Sequence, residues 1–310
     1  MNLQAQISAR QELARQGRLL LADRAGLVEL LTLRGQALGR IADYERAADT
    51  AVHLVSDEPD QGIAFLARGR THATFHRFTQ ALTDLTTAEQ LGVEPTEADA
   101  ERAAIHQALG RYNQAQQILD DAARRRADFE TLGALAGLYA QRADIHSAER
   151  LFDDSRARYR GVSPFPLALL DFHRGRMWLT QGDLSRALLW FDAALRRLPD
   201  FAPAQGHYAQ VQAALGQTAS AIARLRQLSA SSDDPDYPAR LAIILNETGQ
   251  SDEAGCWREQ ATARYEQLCA RHPDAFADHS ATFQLAIGGE PNHAQMLARP
   301  TTGTAYEPRE

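Results

Sequence analysis

Residues 172–199 read Phe-His-Arg-Gly-Arg-Met-Trp-Leu-Thr-Gln-Gly-Asp-Leu-Ser-Arg-Ala-Leu-Leu-Trp-Phe-Asp-Ala-Ala-Leu-Arg-Arg-Leu-Pro. Apolar side chains recur at three- and four-residue intervals on both sides of Gly182-Asp183. That is the period of a helix face, not the alternation of a strand. A glycine between two such stretches stops one helix and lets another begin. The stretch therefore predicts a helix, a tight turn and a second helix that ends before Pro199.

The pattern repeats along the chain. With Ala187 of Leu184-Ser-Arg-Ala187 as one anchor, the full series is Ala47, Ala81, Ala115, Ala148, Ala187, Ala221, Ala254 and Ala294, at spacings of 34, 34, 33, 39, 34, 33 and 40 residues. Twelve residues earlier stand Gly35, Gly69, Ala103, Ala136, Gly175, Ala209, Ala242 and Thr282, and five residues earlier Gly110, Gly182, Gly216, Gly249 and Gly289 mark turns. Small residues recur in register because antiparallel helices approach to about 8–10 Å only where the side chains at the crossing are small. One pair cannot bury its apolar face alone, so neighbouring pairs must stack. With no alternating runs, the fold is expected to be all-α.

These residues resemble the tetratricopeptide repeat family. Gly175, Trp178, Gly182-Asp183-Leu184, Ala187, Phe191, Ala194 and Pro199 match its small, aromatic, turn, alanine, aromatic, alanine and proline positions, and Pro59 follows Ala47 as Pro199 follows Ala187. The resemblance spans residues 28–298. It implies a right-handed superhelical solenoid of about seven to eight antiparallel helix pairs that docks protein segments on its concave wall. Residues 1–27 are then a leading helix or N-terminal cap, its helix reading from 3 to 22, and 299–310 a disordered tail. The long spacings place a loop at Arg160–Pro166, whose prolines end the preceding helix, and a long helix from about Asp252 to Arg271.

Composition narrows the function. Lys plus Arg number 33 against 40 Asp plus Glu, a net charge of −7, and every basic residue is arginine. The acidic balance argues against a nucleic-acid partner. No run approaches the ~18–20 apolar residues that span a bilayer. The opening Met-Asn-Leu-Gln-Ala-Gln lacks an apolar signal core. A cytoplasmic location is expected if residue 1 is the native start, a periplasmic one if a signal segment has been removed.

Catalytic and metal patterns are not found. His72 and His76 are four apart, but no third ligand has a known placement, so His72 is expected at a helix crossing and His76 in a turn. Cys256 and Cys269, thirteen residues apart on one helix, lie ~20 Å apart and cannot bridge. Without a nucleophile elbow or phosphate-cradling loop, the chain is expected to be no enzyme and to hold no cofactor. The runs Arg124-Arg-Arg126 and Arg156-Ala-Arg-Tyr-Arg160 fall at helix C-termini, which cations complement.

The first helix of each pair builds the concave wall, and its inward positions are expected at i, i+4 and i+7. The candidate binding residues are Leu66, Arg70, Ala104, Gln107, Gly137, Phe172, Arg176, Leu179, Gln210, Ile243 and Asn246. Arg70 and Arg176 are expected to frame one hollow and to select a ligand with an acidic group. Two functions follow from that wall. The first is a non-catalytic scaffold that docks a protein or peptide partner in the groove. The second is a carrier or sensor of an apolar or amphipathic small molecule, such as a lipid, in a bacterial transport or envelope system. An open groove with polar groups favours the first, a closed apolar hollow the second. A monomer is expected, with residues 274–298 covering the long helix.

Overall fold

The computed structural model describes residues 3–287, which form sixteen α-helices and, among the described residues, no strand. A leading helix α1 (Leu3–Arg15) is followed by seven antiparallel pairs: α2 (Leu21–Leu38) with α3 (Ile41–Asp57), α4 (Gly62–Thr74) with α5 (Phe78–Gln90), α6 (Asp99–Ala108) with α7 (Tyr112–Arg125), and α8 (Phe129–Gln141) with α9 (Ile145–Arg158). Then come α10 (Pro164–Thr180) with α11 (Leu184–Arg197), α12 (Ala202–Ala214) with α13 (Thr218–Ser231), and α14 (Asp236–Glu247) with α15 (Ser251–Arg271), closed by α16 (Pro273–Ile287). The anchor Ala294, its partner Gly289 and the tail lie outside the described residues.

The crossing residues behave as their size requires. Ala47, Ala81, Ala115, Ala148, Ala187 and Ala221 are completely buried. A Cβ on Gly175 would come within 2.7 Å of the Phe191 ring, so only glycine admits that phenylalanine to the α10–α11 crossing. An arginine directly before the small residue adds a polar contact within two pairs, at Arg34 and Arg68, and between successive pairs at Arg102 and Arg174. Arg34 binds Asp43, Arg68 binds Asp84, Arg102 binds Glu89, and Arg174 binds Glu149 and Asp153.

Gly110, Gly182, Gly216 and Gly249 adopt the left-handed backbone expected of the turn. His76 and Ala143 adopt it at the equivalent positions despite their side chains. Since α4 ends at Thr74, His76 lies in the turn and shares no helical face with His72. In the first pair the left-handed residue is Gly39, eight rather than five residues before Ala47, so this pair turns three residues early.

Two expected boundaries change. The leading segment is not one helix to residue 22: α1 stops at Arg15, Gly17 turns with φ +65°, and Leu21 opens α2. Pro164 and Pro166 do not sit in the loop but in the first turn of α10, where the missing N–H groups have no helical acceptor to lose. The long helix appears as α15, with Tyr265 and Leu268 buried. Phe283 of α16 packs on Tyr265, so the chain itself covers that surface.

The stack winds far enough to meet itself. α2 touches α12, and the turn after α2 meets the segment between α13 and α14. Ser232 Oγ donates to the Gly39 carbonyl, while the Asp233 carboxylate accepts the N–H groups of Ile41 at 2.6 Å and Ala42 at 3.0 Å. Farther along the same seam His272 stacks on Phe75 with ring centroids 3.9 Å apart, and its Nε2 lies 3.1 Å from Glu45. Arg77 Nη2 approaches His272 Nδ1 at 3.1 Å, and Arg271 pairs with Glu45 at 2.5 Å. The concave side is thus bounded by a seam between the first two pairs and the last.

Candidate functional site, the concave hollow

The expected wall positions divide into two groups. Arg70, Gly137, Arg176 and Ile243 are half-exposed, and Ala104 is exposed. All occupy the position six residues before the left-handed turn. A Cβ on Gly137 would meet nothing within 4 Å, so the wall is open there. By contrast Leu66, Phe172 and Leu179 are buried. Leu66 packs with Leu85 and Ile105, and Phe172 and Leu179 pack in the core around Phe191 and Phe201. They are not surface anchors, because the first helices are rotated by about one residue, ~100°, from the expected orientation. Gln107 is half-exposed and Asn246 exposed, whereas Gln210 is buried by its hydrogen bonds. Ile243 packs beside Tyr265 and Phe283, so α16 reaches its edge of the wall.

That rotation brings a different set of side chains inward, those nine residues before the turn: Glu101, His173, His207 and Arg240. Each follows the first position of the expected i, i+4, i+7 pattern, which falls on Ala100, Phe172, Gly206 and Ala239. Phe172, Gly206 and Ala239 are buried, while His173 is exposed and His207 and Arg240 are half-exposed. The groups face one another across helices. Arg176 on α10 and Arg240 on α14 both act on His207 of α12, and Arg176 acts on His173. Glu101 faces Arg70.

Arg70 and Arg176 therefore do not form the expected pair. Arg70 is engaged by Glu29 at 2.7 Å and by the Glu97 carbonyl at 3.2 Å. The companion of Arg176 is Arg240, which donates to Asp236 at 2.6 Å and to Gln210 at 2.7 Å. Gln210 also lies 3.1 Å from His207 Nδ1. Arg176 makes no ion pair or side-chain hydrogen bond among the described residues. Its Nε is buried without a partner, and its guanidinium sits 6.0 Å from the Phe172 ring centroid.

Electrostatics follow from this crowding. Burial, and then the charge of Arg240, lowers the pKa of Arg176. Burial, with Arg240 and Arg176, lowers that of His207 to about 3. His173 still meets solvent, but the protein atoms crowded around it in the hollow desolvate its charged form and, with Arg176, lower its pKa to about 4. Both imidazoles are neutral at pH 7. Burial beside Asp236 pushes Asp234 up to about 7, while against burial the charge and hydrogen bond of Arg240, with His279 and His207, together hold Asp236 below the usual range.

A pH dependence of stability follows. An unfolded histidine takes up a proton near pH 6.5, but folded His207 refuses it, so the unfolded state binds more protons below that value and stability falls as pH drops. His173 adds to this decline between pH 7 and pH 5 and Asp234, protonated in the folded state over that range, opposes it, so the melting temperature of His207→Asn is expected to fall less than the parent's. An equally steep decline in the variant would remove His207 as its source.

No three histidine, cysteine or acidic residues cluster as metal ligands among the described residues. Cys256 and Cys269 are free thiols on α15. No described helix is long and apolar enough to cross a membrane.

Stacked antiparallel pairs around a hollow lined by first helices define a helical-repeat solenoid. The model of the tetratricopeptide repeat family matches residues 179–239, and the fold is that of a tetratricopeptide repeat solenoid. No curated protein sequence matches it. Among solved structures, it is similar to a human IFIT1 dimer with PPP-AAAA, with 13% identity over 93% of this chain and 75% of that one at a TM-score of 0.61. It is also similar to the APC/C hetero-tetramer Cut9-Hcn1, with 17% identity, 83% and 55% coverage and a TM-score of 0.54. The chain thus spans about half the length of that relative. PilW, a type IV pilus biogenesis factor, aligns at 18% identity, 72% and 98% coverage and a TM-score of 0.52. At such identities the likeness concerns the fold.

Proposed function

We propose that the chain is a non-catalytic scaffold that docks a segment of a protein partner in the concave hollow. The observation that carries this reading is Arg176, a guanidinium set in the wall with no carboxylate opposite it. Desolvating a cation without a partner is unfavourable, and a ligand with an acidic group would relieve that. Ala104 and Gly137 leave room beside it for a main chain. A lipid carrier fits less well, since the hollow carries His173, His207, Gln210 and Arg240 where acyl chains need apolar contact. The scaffold acts as a monomer in this reading, because α16 covers α15 internally.

The test places a photo-reactive amino acid at position 137, with a control at the exposed position 83 of α5. Adducts at 137 that protease digests, and that Arg176→Gln removes, are the expected result. Adducts that resist protease and partition into organic solvent would replace the scaffold by the carrier. Adducts equal at both positions would move the partner outside the hollow.

A further inference from the structure

The cluster of His173, Arg176, His207 and Arg240 is more specialised than a general acidic preference requires. Its donors come from three successive first helices, α10, α12 and α14, and His173, Arg176 and His207 surround the Phe172 ring at 5.6, 6.0 and 5.4 Å from its centroid. A planar carboxylate offers two oxygens in one plane, whereas a phosphoryl group offers three oxygens spread over a tetrahedron. Charge also points this way. Asp236 compensates Arg240 and Arg176 has no counter-ion; neutral His173 can present an N–H, and neutral His207, whose Nδ1–H is donated to Gln210 Oε1, can accept a phosphate O–H or a proton at Nε2. Gln210 holds both His207 and Arg240, so the donors are fixed before a ligand arrives. Guanidinium groups suit phosphate because two parallel N–H groups match two of its oxygens.

We infer that this cluster is an oxyanion subsite for a phosphoryl group, carried by a phosphorylated side chain of the docked segment. The inference rests on the docking reading for the source of the phosphate, not for the subsite itself. Arg176→Gln is the decisive variant, since Arg176 makes no hydrogen bond that the fold would lose.

Calorimetry on the full chain would titrate inorganic phosphate, a phosphoserine peptide pool with randomised flanks, the same pool unphosphorylated, and a 5′-phosphorylated oligonucleotide. The expected result is saturable phosphate binding that weakens at least tenfold in Arg176→Gln with a melting temperature no lower than the parent's. The phosphoserine pool is expected to bind more tightly than phosphate alone, and the unphosphorylated pool at least tenfold more weakly than the phosphorylated one. Absence of phosphate binding, or binding that Arg176→Gln leaves intact, overturns the subsite. Phosphate binding that depends on Arg176, with no gain from the peptide pool, keeps the subsite and overturns the docked segment as its source. Tighter binding of the oligonucleotide replaces the peptide by a nucleic acid end, an outcome that the net charge of −7 opposes.

Discussion

Replacing Asp43 by alanine is expected to destabilise the protein by about 3–5 kcal/mol. Arg34 on α2 donates from Nε at 2.7 Å and from Nη2 at 2.5 Å to the two oxygens of Asp43 on α3. The two side chains are only 7% and 4% exposed. Without Asp43 the guanidinium would keep only Gln4, a neutral acceptor on α1, and would remain out of water. An unpaired buried charge loses more than the pair gained, because hydration is not restored. The companion variant Arg34→Met with Asp43→Leu removes both charges and is expected to recover most of the loss, which separates the cost of an orphaned cation from that of repacking. Urea unfolding of the three proteins checks this. A loss below about 1 kcal/mol in Asp43→Ala, the size of a surface pair, would mean that water reaches the first helix crossing.

The stack of pairs was legible in the sequence because one physical demand, close helix approach, selects small residues at every crossing. Where two small residues lie near each other, the register becomes ambiguous. Ala47 and Ala51 are both completely buried on α3, and counting from Ala47 misplaces the first turn, which the left-handed Gly39 sets. Turns at His76 and Ala143 left no glycine signal, since packing of the flanking helices imposes the left-handed backbone on ordinary residues there.

The hollow was legible only in part. Position −6 from the turn is solvent-accessible at Arg70, Ala104, Gly137 and Arg176, whereas Leu66 and Phe172, expected on the same face, are buried. A shift of one residue turns a helix by ~100°, enough to exchange Phe172 for His173 and Ala239 for Arg240. A signal did exist: Glu101, His173, His207 and Arg240 are polar residues that recur in register nine residues before the turn, and a buried crossing would not select them. Pairing of Arg176 with Arg240 and not with Arg70 was beyond reach, because it depends on superhelical curvature summed over several repeats.

The same curvature creates the seam, and with it the last expectation. Asp233→Ala should destabilise the fold by about 1.5–3 kcal/mol, the range for hydrogen bonds to a charged group. Arg40, the residue before α3, makes no side-chain cap. The first N–H groups of α3 are satisfied instead by a carboxylate 192 residues away, on Asp233, which Arg264 holds at 3.0 Å. Its negative charge also lies at the positive end of the helix dipole. Hydrogen exchange at the Ile41 and Ala42 amides should accelerate in the variant, while Asp233→Asn, which keeps a neutral acceptor, should fall between. Exchange and melting that match the parent would show that the seam is held by Ser232 and the His272 cluster alone. The seam bounds the hollow on one side, so a segment entering laterally must part it. Loosening one of its bonds is therefore expected to raise the association and dissociation rates together and to leave the affinity set by Arg176 nearly unchanged, because the docked contacts are the same in both proteins.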